Sequence, residues 1–257
     1  MTAGLTVPEG EAGATIPHKA MPQKAMVFAA GLGTRMRPLT DTLPKPLIKV
    51  GGKPMLDHML DRFADVGVRE AIVNVHYRAD QVEAHLAGRQ HPHIIISDER
   101  DTLLDQAGGI RKALPLLGSE PFFICNTDAF WLEGPRSNIE ALVARWNPAI
   151  MDILLLVAAT TSSVGVDWPG DFLMHADGRL QKRAEREVAP FVYTGVGILK
   201  PALFKDAPAG PLRLAPYFFE AAARGKLFGQ RLDGQWLHVG TPEAVAQAEH
   251  TIERSVY

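Results

Sequence analysis

Two glycines and three cations packed into one short stretch could do chemistry on phosphate. The run Ala30-Gly31-Leu32-Gly33-Thr34-Arg35-Met36-Arg37-Pro38-Leu39-Thr40 is followed closely by Leu43-Pro44-Lys45-Pro46-Leu47. Glycine has no Cβ to keep an anion away from backbone N–H groups, and Arg35, Arg37 and Lys45 add fixed positive charge. The stretch therefore describes a polyphosphate cradle. It follows neither familiar glycine-loop pattern: no Gly-Lys-Ser/Thr comes after four intervening residues, and the third glycine of a dinucleotide loop would fall at Met36. Asp128 follows the apolar run Pro121 to Cys125, which places its carboxylate at the carboxyl edge of a sheet, where open α/β folds bind ligands. It is the first candidate for a Mg²⁺ ligand. An isolated Asn-x-Asp more often just caps a turn, and the basic loop upstream is what favours the ligand reading.

These groups need elements to hold them. Lys24 begins an apolar run that breaks at Gly31, as a buried strand feeding a loop would. Apolar residues at helical spacing from Pro54 to Gly67 predict a helix, residues 71–75 a second strand, 79–86 a polar-faced helix and 94–96 a third strand. The alternation continues with a helix over 109–117, a strand over 121–125, a helix over 137–146 and a strand over 153–159. Strands alternating with helices predict an α/β fold, with a mostly parallel, Rossmann-like sheet covered on both faces. Beyond residue 160 the texture changes: Gly, Pro and Asp cluster, and Asp177-Gly178 reads as a hairpin turn, so a small β-rich insertion is expected there. Thr241-Pro242-Glu243 then opens a last helix. The expected organisation is a disordered leader over 1–23 and one domain over 24–257. Within it, 24–160 is the part that carries the basic loop, and 161–257 is the β-rich part with the C-terminal helix.

Composition narrows the function. Lys plus Arg total 27 against 29 for Asp plus Glu, so no overall positive field exists to hold a nucleic acid. The apolar run 153–159 is far too short for a membrane span. One cysteine, Cys125, cannot form an intrachain disulfide and fits a reducing compartment, the cytoplasm, and its place in a strand predicts a core role rather than a nucleophile. His91 and His93 lack a third ligand and read as a surface loop.

The pattern G-x-G-T-R-x-x-P-L-T followed by P-K-P-L resembles the signature of the sugar-1-phosphate nucleotidyltransferases, also called nucleoside-diphosphate-sugar pyrophosphorylases. The resemblance extends over residues 24–249. Leu104-Asp105-Gln106-Ala107-Gly108-Gly109-Ile110 is similar to the family's Gly-rich base loop, Asn126-Thr127-Asp128 to its metal-binding block, and Trp236-Leu237-His238-Val239-Gly240-Thr241 to its late W-x-D-x-G-T block. The length and the run ending in Pro115-Leu116-Leu117-Gly118 are most similar to the branch that joins UTP to N-acetylmuramate 1-phosphate in cell-wall recycling.

The resemblance implies attack of a sugar-1-phosphate oxygen on the α-phosphorus of a nucleoside triphosphate, UTP being favoured, with release of pyrophosphate. Such catalysis is largely alignment and charge neutralisation. Arg35 would hold the β- and γ-phosphates and Lys45 would bridge the α-phosphate and the incoming sugar phosphate. The nucleotide would rest on Ala30, Gly31, Gly33 and Thr34, with Gly108 on the other side of the base and Asn74 or Gln106 reading its edge. Arg183, eleven positions before Thr194-Gly195, would hold the sugar phosphate, and Asp171, Thr194 and Gly195 would contact sugar hydroxyls, with Trp168 a wall of the same pocket. The family's second metal ligand is an Asp where this chain has His238. That leaves three readings for His238: contact through water, a softer divalent ion, or no metal contact at all. Two alternatives share the loop: a cytidylyltransferase acting on a phosphorylated alcohol such as phosphocholine, and a non-catalytic sugar-nucleotide sensor. A monomer or a small homo-oligomer is expected.

Overall fold

The computed structural model describes residues 21–255. In chain order the elements are β1 (Lys24–Phe28), β2 (Lys49–Val50), β3 (Lys53–Pro54), α1 (Met55–Asp65), β4 (Glu70–Val75), α2 (Ala79–Leu86), β5 (His93–Asp98), α3 (Asp105–Leu117), β6 (Phe122–Asn126) and β7 (Ala129–Glu133). There follow α4 (Asn138–Arg145), β8 (Ile153–Ala159), β9 (Phe172–Met174), β10 (Leu180–Lys182), β11 (Phe191–Leu199), α5 (Ala215–Ala223), β12 (Leu227–Arg231), β13 (Gly234–His238) and α6 (Pro242–Ser255). The expected leader falls mostly outside the described residues. Gln23, its last residue, is already tied in: its carbonyl accepts from the Arg69 and Glu70 N–H groups.

The main sheet runs β5-β4-β1-β6-β11-β8-β12, and within that run only β11 is reversed, so the mostly parallel α/β architecture holds. The β9–β10 hairpin continues the sheet beside the first residues of β11. Strand β11 therefore bridges the two halves of the chain within one sheet. Side chains alternate across each strand. Ala25 and Val27 enter the layer under α1, α2 and α4, while Met26 enters the layer under α3 and α5. Helix α1 shows why these helices form: Met55, Leu56, Met59, Leu60 and Phe63 share one face and are all buried. Each such side chain contributes about 1.5–3 kcal/mol by leaving water. No helix among the described residues is long and apolar enough to cross a membrane.

Three elements depart from expectation. Helix α3 begins at Asp105 rather than near Gly109, so the stretch expected to be a base loop is a helical first turn. Strand β7 pairs antiparallel with β13, from Gly234 opposite Glu133 to His238 opposite Ala129, and the local pattern had pointed to neither the ribbon nor its register. Helix α5 is likewise new. The ribbon helps to build a third, smaller core, in which Met36, Ile48, Val50, Met55, Phe130, Leu237, Val239 and Ala248 meet. This core pins the basic loop: Met36 is fully buried while its neighbours Arg35 and Arg37 stay exposed.

Candidate active site

The carboxyl ends of β1, β4 and β6 open into a cavity of about 630 Å³ lined by Ala30, Gly31, Gly33, Thr34, Arg35, Lys45, Asn74, Glu99, Gln106, Asp128 and Gly240, among others. The loop that forms one wall is held from within. Gly33 adopts φ 65°, and its carbonyl accepts from the Met36 N–H and from Thr40 Oγ1. A Cβ there would lie 2.9 Å from Thr40 Cγ2, so glycine is required both by dihedral and by space. Gly31 has no atom within 4 Å of where a Cβ would stand, and the opening it leaves faces the cavity.

Lys45 and Asp128 meet on the cavity wall. Lys45 sits in the 3-10 turn Lys45–Leu47. Asp128 follows β6 through Thr127, whose hydroxyl donates to the Phe28 carbonyl at 3.1 Å and ties the ends of β6 and β1 together. Lys45 Nζ donates to Asp128 Oδ2 at 2.7 Å. Burial alone would push the Asp128 carboxyl up. The Lys45 ammonium, by charge and by hydrogen bond, outweighs that and holds it below the usual carboxylate range, with a smaller contribution from His238.

The register of β13 on β7 brings His238 beside residue 128. Its Nδ1 lies 3.2 Å from the Gly165 carbonyl, and its ring packs against Trp168 and Trp236, with centroids at 5.1 Å and 5.6 Å. Gly240 makes room for it: a Cβ there would stand 3.2 Å from His238 Nε2 and 3.6 Å from Arg35 Nη1. No group of three His, Cys, Asp or Glu side chains able to hold a metal occurs among the described residues. A hard cation such as Mg²⁺ is compatible with this donor set in one way, through the Asp128 carboxylate with phosphate oxygens and water completing its shell. The His238 imidazole is a poor donor for it.

Several expected contacts are redirected. Asn74 lines the cavity but its amide is also bonded within the protein: Oδ1 accepts from the Ala29 N–H at 2.8 Å and Nδ2 donates to Glu99 Oε1 at 2.8 Å. Glu99 is wholly buried; burial pushes its carboxyl up against the opposing bonds from Asn74 and the Leu104 N–H. Asn74 and Glu99 thus brace the end of β1 against the approach to α3. Sequence reasoning missed Glu99 because it lies in the charged run Asp98-Glu99-Arg100-Asp101, which reads as solvated. Gly108 does not line the cavity. It lets α3 pack on residues 210–212, where a Cβ would stand 2.3 Å from the Gly210 carbonyl oxygen. Gln106 does face the cavity. Its Nε2 donates to Asn126 Oδ1 at 2.7 Å, and its Oε1 accepts no hydrogen bond among the described residues.

A second cavity of about 250 Å³ adjoins the first at Gln106, which lines both. Asp171 and Arg183 come together here. Asp171 Oδ2 accepts from the Tyr193 N–H at 2.9 Å and Oδ1 from Trp168 Nε1 at 3.2 Å, and burial pushes its carboxyl up. Trp168 therefore orients Asp171 instead of forming the wall, which is made by Phe172, Tyr193, Phe218 and Phe219. Arg183 donates to the carbonyls of Gly170, Ala184 and Glu187. Thr194 and Gly195 line neither cavity: Thr194 is buried with its hydroxyl donated to the Leu156 carbonyl, and Gly195, at φ 93°, lies where the register of β11 shifts. Cys125 is in the core as expected, and burial pushes its thiol up.

Comparison with known proteins agrees with this arrangement. A family model described as nucleotidyl transferase matches residues 24–164. The N-acetylmuramate alpha-1-phosphate uridylyltransferase of Caulobacter vibrioides is 48% identical over 89% of this chain and 96% of its own length, and the enzyme of the same name from Neisseria meningitidis is 33% identical over 88% and 96%. Among solved structures, apo UDP-glucose pyrophosphorylase superposes with a TM-score of 0.73 at 15% identity, covering 92% of this chain and 100% of that one, a likeness of fold. The resemblance carried by the basic loop thus extends along the chain, which belongs to the nucleotidyl transferase family, among the sugar-phosphate nucleotidyltransferase enzymes.

Proposed function

We propose that the protein joins UTP to N-acetylmuramate α-1-phosphate, giving UDP-N-acetylmuramate and pyrophosphate. The observation that carries the reading is the pair of cavities meeting at Gln106: one ringed by anion-binding groups, the other by a carboxylate, two cations and aromatic walls. The 48% identical relative bears the name of this activity over nearly its whole length.

In this reading the acceptor phosphate oxygen attacks the α-phosphorus, the α–β phosphoanhydride bond breaks, and pyrophosphate leaves with the bonding electron pair. Two anions must approach each other, so the main task of the protein is to neutralise charge and align them. Arg35, exposed at the cavity mouth, takes the β- and γ-phosphates. Lys45 leaves its ion pair with Asp128 to bridge the α-phosphate and the acceptor phosphate, and Arg183 holds the latter from the second cavity. Gln106 Oε1 accepts the N3–H of uracil. Asp128 would hold Mg²⁺, which when bound adds positive charge at the α-phosphate and the leaving group. The Gly31 opening lets the nucleotide approach the backbone. The buried thiol of Cys125 and the use of UTP fit a cytoplasmic setting.

The test is pyrophosphate release from UTP, CTP, GTP, ATP and dTTP with Mg²⁺ against N-acetylmuramate 1-phosphate, N-acetylglucosamine 1-phosphate, glucose 1-phosphate, mannose 1-phosphate and phosphocholine. The expected result is highest kcat/KM for UTP with N-acetylmuramate 1-phosphate. Preference for another pair overturns the reading.

A further inference from the structure

The second cavity holds more positive charge than a neutral sugar phosphate needs. Its cations are Lys182 and Arg183, and its one carboxylate is Asp171. Both oxygens of Asp171 already accept hydrogen bonds, from Trp168 and from the Tyr193 N–H, and neither cation is in an ion pair among the described residues. Arg183 is clamped by three carbonyls, which fix its guanidinium without a direct ion pair, Asp171 being the nearby carboxylate that feels its charge. Lys182 has only the face of Phe219, with its Nζ 4.2 Å from the ring centroid. An ammonium over one phenyl ring at an exposed site is weakly held, and a carboxylate can recruit it without breaking a stronger bond. Beside it Phe172, Phe218, Phe219 and Ala215 present apolar surface suited to methyl groups.

If Arg183 answers the acceptor phosphate, Lys182 remains for a second anion. The geometry points to Lys182 as a specificity-determining residue that pairs with a carboxylate substituent on an N-acylated sugar 1-phosphate, with the Phe218-Phe219 wall covering the acyl methyl and the alkyl part of the acid. The inference rests on the proposed acceptor site but makes a separate claim, that the site selects acidic over neutral sugars and does so through this one ammonium.

The experiment compares matched acceptors within one enzyme preparation. N-acetylmuramate 1-phosphate is set against N-acetylglucosamine 1-phosphate, which lacks the acid, and glucuronic acid 1-phosphate against glucose 1-phosphate, for wild type, Lys182→Met and Lys182→Arg. The ratio of kcat/KM for the acidic over the neutral member does not depend on the fraction of folded enzyme. Lys182→Met is expected to lower that ratio about tenfold, mostly through KM, as loss of one charge-assisted contact would. Lys182→Arg is expected to keep most of it. An unchanged ratio in Lys182→Met overturns the proposal, and so does a wild-type enzyme that prefers the neutral member of both pairs. A wild type that prefers glucuronic acid 1-phosphate overall keeps the subsite while overturning N-acetylmuramate as the substrate. Should no acceptor turn over, the same ratio is read from dissociation constants measured by calorimetry.

Discussion

Asn74→Asp is the most informative single change in the brace behind the larger cavity. It preserves shape and leaves an oxygen to accept the Ala29 N–H, but it replaces the donor that faces Glu99 Oε1 at 2.8 Å with a second acceptor. Two buried carboxylate oxygens at that distance cannot both be ionised, so the folded protein must bind one extra proton. That pair's folded pKa is raised above an unfolded value of about 4, and stability is then present at low pH and lost as pH rises, at about 1.4 kcal/mol per unit. Between about pH 5.5 and pH 8 the variant should lose about 3.4 kcal/mol relative to wild type, or about 7–14 °C in melting temperature for a chain of this size. The assay is thermal unfolding followed by circular dichroism at both pH values. Combining the change with Glu99→Gln removes the like charge and should flatten the difference. Parallel pH profiles for wild type and Asn74→Asp would refute the reasoning, because they would mean that Glu99 is already protonated in the native brace.

Lys45→Ala and Asp128→Ala should each lower kcat/KM for pyrophosphate release by at least about a hundredfold, the scale of losing one positioned electrostatic group. A near-normal rate in either variant removes that residue from the mechanism. His238→Asp places a second carboxylate near Asp128, and the Mg²⁺ concentration giving half-maximal activity should fall several-fold. An unchanged metal profile assigns His238 to packing between Trp168 and Trp236. Gly108→Ala forces a Cβ to within 2.3 Å of the Gly210 carbonyl oxygen and should cost about 1–3 kcal/mol in thermal unfolding. An unshifted melting curve would show that α3 and residues 210–212 separate freely.

The strands and helices of the parallel half were legible because a sheet covered on both faces turns its strands into short continuous apolar runs, while one buried face gives helices a period of 3.6. The expected ranges 79–86 and 153–159 coincide with α2 and β8. The β7–β13 ribbon was not, since five residues that include Phe130 and Trp131 carry no visible alternation and their partner lies about a hundred positions away. At the site, residue type and spacing pointed to Arg35, Lys45 and Asp128, which the fold brings to one cavity, whereas Arg37 lies outside it and pairs with Asp41. The second role of Asn74 was not legible for a physical reason: a polar residue at the end of a strand can face a cavity and also bond within the protein, and only the position of Glu99 reveals the second bond. Thr194 was misplaced because the register shift in β11 puts its hydroxyl against the Leu156 carbonyl.

The small core around Met36 carries a further implication. It joins the basic loop, the ribbon that carries His238, and helix α6, whose Glu249 accepts from the Gly51 N–H. Leu47, Trp131 and Trp236 also tie the loop and the ribbon to the layer under α1, α2 and α4, whereas α6 buries only Ala248 and is expected to open ahead of the sheet. Amide protons of α6 should exchange ahead of those in β1 and β6. Opening that starts at α6 would then loosen the basic loop through the Met36 core while the sheet remains intact.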